Sequence, residues 1–304
     1  MRMRTISVLL CWALIIVSAL SQAASLSAFN PSSSSPSDPE GPFSDPDSGT
    51  EELSLFVINV GKADSLLLRC GGGAWLIDSG RGRNVDTVLS ALNQLQVSAL
   101  DGIFITHMDS DHVGGLKKLL KSDIPVDTVY IPAFYLPEDG EKENPAVKAA
   151  EKSDVPVIYL QGGDSLPLGS GVMKVLGPLR PAKDKEDNNS LVLLAEAAGG
   201  SMLLAGDMEF PEESDLLSAG AVPEADVLKI ANHGDSDATS EALISMVRPR
   251  VAVISTSTEE KPSTPASRVL KLLKKWGTDV YVTQDAALGI LVTLRSGELS
   301  VEMR

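Results

Sequence analysis

Residues 102–120 restrict this chain more than any other stretch. The apolar run Gly102-Ile103-Phe104-Ile105 reads as a buried strand and stops abruptly at Thr106. His107, Asp109, Asp111 and His112 then place four ligand-type side chains within six positions, ahead of Gly114-Gly115. Beyond the glycines, Leu116, Leu119 and Leu120 recur at helical spacing among Lys117, Lys118 and Lys121. A strand must therefore pass into a helix through a tight turn crowded with imidazoles and carboxylates, and the glycines permit that turn. Such mixed donors suit zinc, manganese or iron, which can activate a bound water. The plainer alternative is an acidic loop with two stray histidines. The chain holds only three histidines, however, and two of them are here.

The surrounding sequence limits where this turn can work. At 304 residues and 43% hydrophobic content there is ample material for a core, in one large domain or two small ones. A formal net charge of −15 argues against a general polyanion-binding surface. It leaves open an anionic substrate at a metal site, where bound cations dominate the local field. The cysteines are Cys11 and Cys70, so no Cys-rich metal site exists. Arg2 and Arg4 precede an apolar run from Ile6 to Leu20 and then Ser21-Gln22-Ala23, which describes a secretory signal peptide over 1–23. The run is short for a membrane span, and an uncleaved anchor is the alternative. The expected location is secreted or extracytoplasmic. Residues 24–51 are rich in Ser, Pro and Asp and read as a disordered spacer, leaving 52–304 as the folded domain.

Within that domain, strands are expected at 53–60, 64–70 and 74–78, and an amphipathic helix carries Val85, Val88, Leu89, Leu92 and Leu95. After the ligand-rich turn come strands at 126–131, 155–160 and 172–176, with a short helix near 146–152. A hairpin follows around Gly199-Gly200. The last third alternates strands (225–231, 251–255, 279–283, 288–294, 298–302) with helices around 239–247 and after Thr264-Pro265, where Thr264 is expected as N-cap and Pro265 at the first helical position. Helices can cover a sheet on one face only if another layer covers the other. Periodicity alone does not decide between a three-layer α/β fold and two packed sheets with helices outside.

Four loops end strands with polar residues: Asp64 after Asn59-Val60-Gly61, the 106–115 turn, Gly206-Asp207-Met208, and Asn232-His233-Gly234. Alone, Asp64 reads as a turn aspartate, Asp207 as a strand terminator and His233 as a satisfied core histidine. Together they resemble the metallo-β-lactamase superfamily. His107-x-Asp109-x-Asp111-His112 followed by Val113-Gly114-Gly115 resembles the soluble hydrolase domain of ComEC-type competence proteins and their secreted relatives. That resemblance implies an α/β fold, a four-layer αββα sandwich, and a centre for two divalent metal ions, zinc or manganese. It implies His107 and Asp109 on the first metal, Asp111, His112 and His233 on the second, and Asp207 bridging. An asparagine of Asn188-Asn189 is the further donor expected beside His107. Asp111 and His233 would also serve catalysis, while Asp64, Asp78 and Asn232 would orient ligands through hydrogen bonds.

The departures bear on the substrate. The third β-lactamase histidine is absent before Ser190-Leu191-Val192, which argues against β-lactam hydrolysis. The family's His-His-Gly is Asn232-His233-Gly234, and a later Gly-His-Pro is Ser263-Thr264-Pro265, so the acid for the leaving group is missing. The function implied is an exported dinuclear hydrolase, phosphodiesterase- or nuclease-like, attacking with a metal-bound hydroxide. Its substrate would be an anionic ester, nucleic acid or a cell-envelope phosphodiester, with no stable protein partner. The alternatives are a metal-binding but catalytically weak relative, or an acyl (lactone or thioester) hydrolase. Arg180, Lys183 and Lys185 either meet the anionic substrate or form a solvated charged loop.

Overall fold

A computed structural model describes residues 51–136, 143–183 and 185–304. The expected signal peptide, and the spacer apart from Glu51, lie outside the described residues, as does 137–142 of the acidic loop. Strands β1 (Glu52–Ile58), β2 (Leu66–Cys70) and β3 (Gly73–Ile77) form an antiparallel meander. The chain then turns to strand–helix alternation: α1 (Val85–Gln94), β4 (Gly102–Phe104), α2 (Leu116–Leu119), β5 (Val129–Pro132), α3 (Pro145–Glu151) and β6 (Val157–Leu160), with β3 to β6 parallel. A second meander follows, β7 (Ser165–Leu168), β8 (Gly171–Gly177), β9 (Val192–Ala197) and β10 (Gly200–Leu204). A second alternation completes it: α4 (Phe210–Ser218), β11 (Val227–Lys229), α5 (Glu241–Val247), β12 (Val251–Ile254), α6 (Ser267–Lys275) and β13 (Asp279–Val282), with β10 to β13 parallel. The hairpin β14 (Gly289–Arg295) and β15 (Glu298–Met303) returns to the first sheet, with β14 antiparallel to β1.

The result is an eight-stranded sheet in the order β15-β14-β1-β2-β3-β4-β5-β6 and a seven-stranded sheet in the order β13-β12-β11-β10-β9-β8-β7. Alternation along β1 shows how they layer, because successive side chains point to opposite faces. Leu53, Leu55 and Val57 pack with Leu193, Leu204, Val227 and Val253 of the second sheet. Phe56 and Ile58 point the other way, into Val88, Leu92, Leu116 and Ala150 of α1, α2 and α3. On the far side, Leu194, Leu203, Leu228 and Ile254 meet Leu216, Ile244, Val247 and Leu273 of α4, α5 and α6. This is the four-layer αββα sandwich. Because β3 to β6 and β10 to β13 run parallel, the loops that follow β3, β4, β10 and β11 gather at strand carboxyl ends, where α/β sheets carry their sites.

Some local expectations are corrected. Helix α6 begins at Ser267 with Ala266 as N-cap, so Thr264 does not cap it. Instead the Thr264 hydroxyl is buried, 2.7 Å from that of Thr256, and donates to the Lys261 carbonyl. Helix α4 was unexpected, since Pro211 and the acidic Glu212-Glu213 hide a short apolar face. Strand β7 contains Pro167 and is tolerated because it forms the sheet edge.

Candidate metal centre

The turn after β4 is shaped by an aspartate on the neighbouring strand's end. Asp78, with φ of 60°, sits just beyond β3 and is fully buried. One carboxylate oxygen accepts from the Thr106 amide at 2.8 Å, and the other from the Thr106 hydroxyl at 2.8 Å. That second oxygen also accepts from Nδ1 of His112 at 2.8 Å. Asp78 thus fixes both the start of the turn and the direction of one imidazole.

All three histidines are held by Nδ1 and present Nε2 to a common interior. His233 donates from Nδ1 to the Ser255 carbonyl at 2.8 Å, which dictates its tautomer because a carbonyl only accepts. His107 Nδ1 lies 3.1 Å from the Thr106 hydroxyl and 3.4 Å from that of Ser190. The rings crowd together, with centroids 4.1 Å apart for His107 and His112 and 5.3 Å for His112 and His233. Asn232 and His233 both adopt left-handed backbone, at φ of 44° and 53°, and this kink turns the His233 ring inward.

The carboxylates complete the cluster. Asp207 Oδ2 lies 3.2 Å from Nε2 of His112 and 3.2 Å from Nε2 of His233. Asp111 Oδ2 is 3.7 Å from Nε2 of His233, but its bonds run to Lys62 at 2.8 Å and Arg81 at 3.0 Å. Asp109 is half exposed, 4.0 Å from Nε2 of His107. Asp64 is buried against Lys229 at 2.6 Å, with its other oxygen 3.6 Å from Nδ1 of His233. Asn232 directs its amide 3.4 Å to Glu209 and 3.4 Å to Asp237.

The donor beside His107 is Asp187, not an asparagine. Its Oδ1 lies 3.5 Å from Nε2 of His107. Asn189 is occupied by Ala182 and Glu186, and Asn188 by Glu209 and the Glu212 amide. Glu186 ties this short 3-10 turn to the metal turn by accepting from the Met108 amide at 3.2 Å. Asp187 was hidden in a mixed-charge loop, and a carboxylate directly preceding the asparagine pair was the only signal for it. Two of that loop's three cations face carboxylates: Arg180 pairs with Asp215 at 2.7 Å and Lys185 with Glu209.

The protein's own atoms fit a cation here. Among the described residues, Nε2 of His107, His112 and His233 and Oδ1 of Asp207 are buried without a hydrogen-bond partner, an arrangement that is costly unless something positive meets it. Ligand atoms of His107, His112 and Asp207 lie within 4.8 Å of one another, as do those of Asp111, His112 and His233, and those of His107, Asp109 and Asp187. Protonation reflects the same demand. Burial opposes a charge on His112, yet Asp207 and Asp78 outweigh it and hold that imidazole well above its usual value. Burial and the charge on His112 push His107 down to about 3. Burial raises Asp187 to about 8, reinforced by the negative charges of Asp207 and Asp109. Nitrogen and oxygen donors in this number fit divalent zinc or manganese.

Comparison with known proteins agrees with this geometry. The metallo-beta-lactamase superfamily matches residues 58–258. ComE operon protein 3 of Bacillus subtilis is 32% identical over 271 residues, covering 83% of this chain and 34% of that protein. The human zinc phosphodiesterase ELAC protein 1 is 41% identical over 58 residues, 19% of this chain and 15% of its own. The crystal structure of the metallo-beta-lactamase fold protein YhfI from Bacillus subtilis superposes with a TM-score of 0.50 at 12% identity, over 80% of this chain and 99% of that one. The chain spans 34% or less of the competence proteins it matches. Among the described residues no helix is long and apolar enough to cross a membrane. With its αββα sandwich, its convergent histidines and aspartates and these matches, the chain belongs to the metallo-beta-lactamase superfamily of metal-dependent hydrolases and is of the ComEC type.

Proposed function

We propose that this chain is an exported phosphodiesterase of nuclease-like action that works with two divalent cations. The observation that carries the reading is the set of orphaned donors: three buried Nε2 atoms and an Asp207 oxygen facing one interior. His107, Asp109, Asp187 and Asp207 would hold one cation. Asp111, His112, His233 and Asp207 would hold the other. Bound cations would supply Lewis-acid activation of water and neutralise charge on the reacting phosphate.

The chain's own residues support an anionic ester. Lys62 and Arg81 both reach Asp111 Oδ2 at the mouth of the centre, where a phosphate oxygen would meet two cationic side chains. The Lys62 ammonium touches Asp111 at 2.8 Å, and its position would offer charge for a departing oxygen in place of the acid lost at Asn232 and Thr264. The local match to a zinc phosphodiesterase points the same way. Export rests on the leader motif in the sequence.

The test is hydrolysis of bis-p-nitrophenyl phosphate and single-stranded DNA by metal-loaded protein, with element analysis of the same sample. Turnover abolished by His112→Ala is expected. Protein that binds two metals yet cleaves neither compound would mark a catalytically weak relative, turnover of an acyl panel alone would mark the lactone or thioester reading, and zero bound metal would sink every enzymatic version.

A further inference from the structure

We propose that Lys229 is a positioning residue for His233: by holding Asp64 it decides which acceptor the imidazole faces, and so where Nε2 points. This rests on the two-cation reading above and concerns the donors Asp111, His112 and His233 alone. Lys229 breaks the pattern of its own strand. Along β11, Val227 points between the sheets, Leu228 points toward the helices, and Lys229 returns to the space between the sheets. The position calls for an apolar side chain, yet it holds an ammonium that is 1% exposed. A local rule broken this deep in a core is where a functional demand is expected.

The ammonium ends on Asp64, 165 positions away on the connection between β1 and β2 of the other sheet, 2.6 Å from Oδ2. Its second bond runs to the Ile230 carbonyl at 3.0 Å. The backbone of Asp64 is pinned independently. Its amide donates to the Asp111 carbonyl at 3.2 Å, and its carbonyl accepts from the Gly80 amide at 2.7 Å. Only the side-chain torsions are left free, and Lys229 sets them.

Asp64 Oδ1 is buried, has no hydrogen-bond partner among the described residues, and stands 3.6 Å from Nδ1 of His233. That Nδ1 donates instead to the Ser255 carbonyl at 2.8 Å, while the Ser255 hydroxyl donates to the Ala63 carbonyl at 2.6 Å. The imidazole therefore has two acceptors at hand, a neutral carbonyl in contact and a carboxylate held back. A carboxylate is the stronger acceptor, and on His112 it wins, since Asp78 takes that Nδ1 at 2.8 Å. Lys229 accounts for the difference at His233 by drawing Asp64 to itself. Without the ammonium, a buried unpaired carboxylate would turn to the N–H beside it, and the ring would leave Ser255. Nε2 of His233 would then lose its place 3.2 Å from Asp207 and 3.7 Å from Asp111. His107 lies outside this arrangement, with Nδ1 beside the hydroxyls of Thr106 and Ser190. An ion pair that merely joined the two sheets would affect stability and leave the ring alone.

The test reads the ring directly. The chain has three histidines, so the imidazole N–H signals of isotope-labelled protein can be assigned one by one in magnetic resonance spectra. K229M is expected to shift the Nδ1–H signal of His233 and leave that of His107 in place. It should also weaken one of the two metal sites by about 10–100-fold in a chelator competition. K229M/D64L, which has no carboxylate to capture the ring, should return signal and affinity to wild type. L273A, a truncation in the core beneath α6 that also costs stability, should keep the signal and both sites. An unmoved signal or two undiminished metal sites in K229M overturn the proposal, as does the same loss in L273A. A shifted signal in K229M/D64L overturns it as well, and needs no folded single variant. The signal is read with or without metal. Protein that binds no metal therefore sinks the function above, while the acceptor of His233 is still decided by the signal.

Discussion

Asp187 places Oδ1 3.5 Å from the orphaned Nε2 of His107, so a carboxylate stands beside that ring where the sequence suggested an asparagine. If both belong to one cation, Asp187→Ala should lower the metal content of saturated protein from two equivalents toward one. Asp187→Asn should weaken that site less, since an amide oxygen can still donate. Metal content that stays at two in the alanine variant, read by element analysis after gel filtration, removes Asp187 from the ligand set.

Asp78 never faces the interior of the cluster, yet it sets the direction of His112 and the start of the turn through Thr106. Removing such a support commonly costs about 10–100-fold in metal affinity. Asp78→Ala should show a loss of that size in a competition titration with a chromogenic chelator. An affinity equal to wild type would mean that the glycines and Thr106 suffice to hold the ring.

Lys229 and Asp64 form an ion pair in which both partners are about 1% exposed. Truncating one leaves a buried charge uncompensated, a loss of about 3–5 kcal/mol. Lys229→Met should therefore destabilise the metal-free protein by that amount in urea unfolding. The double variant K229M/D64L should recover much of it, because an apolar pair of similar volume needs no compensation. Equal losses in the single and double variants would show that Lys229 acts alone, through its bond to the Ile230 carbonyl at 3.0 Å.

Glu212 gives a pH signature outside the centre. Burial pushes its carboxyl well above the usual range and the charge of Asp215 adds to this, while the Ser190 amide opposes it. Neither oxygen meets a partner of hydrogen-bonding geometry among the described residues. A raised carboxyl favours the fold below the unfolded value of about 4.3, and that contribution disappears as pH climbs through the folded value. Glu212→Gln should thus change little at pH 5 and raise the melting temperature at pH 8, by roughly 2–4 °C per kcal/mol gained. A gain that is independent of pH would mean that the folded and unfolded carboxyls bind protons alike, so that burial does not raise the folded value.

The turn at 106–115 was legible because His107, Asp109, Asp111 and His112 interrupt an apolar period with the chain's scarcest side chain, and the strand pattern around them was legible for the same reason of periodicity. Asp187 was not, because ligand identity there depends on which residue of a polar loop is turned inward, and that is decided by Glu186 accepting from Met108 far away in sequence. Thr264 failed as a cap because a tertiary partner, Thr256, outbid the local helix signal. The contact of Lys62 with Asp111 spans 49 positions, and no local rule reveals it.

The pairing of β1 with β14 has a consequence in time. Glu52 stands opposite Arg295 and Ile58 opposite Gly289, so one edge of β1 stays bare until residues 289–295 have been made. Contacts this distant in sequence form slowly, and a bare apolar edge invites wrong pairing in the meantime. Both sheets contribute to the cluster of histidines and aspartates, so the cluster cannot exist on a partial chain. Any metal capture at this cluster therefore has to wait until both sheets have been made and have packed together.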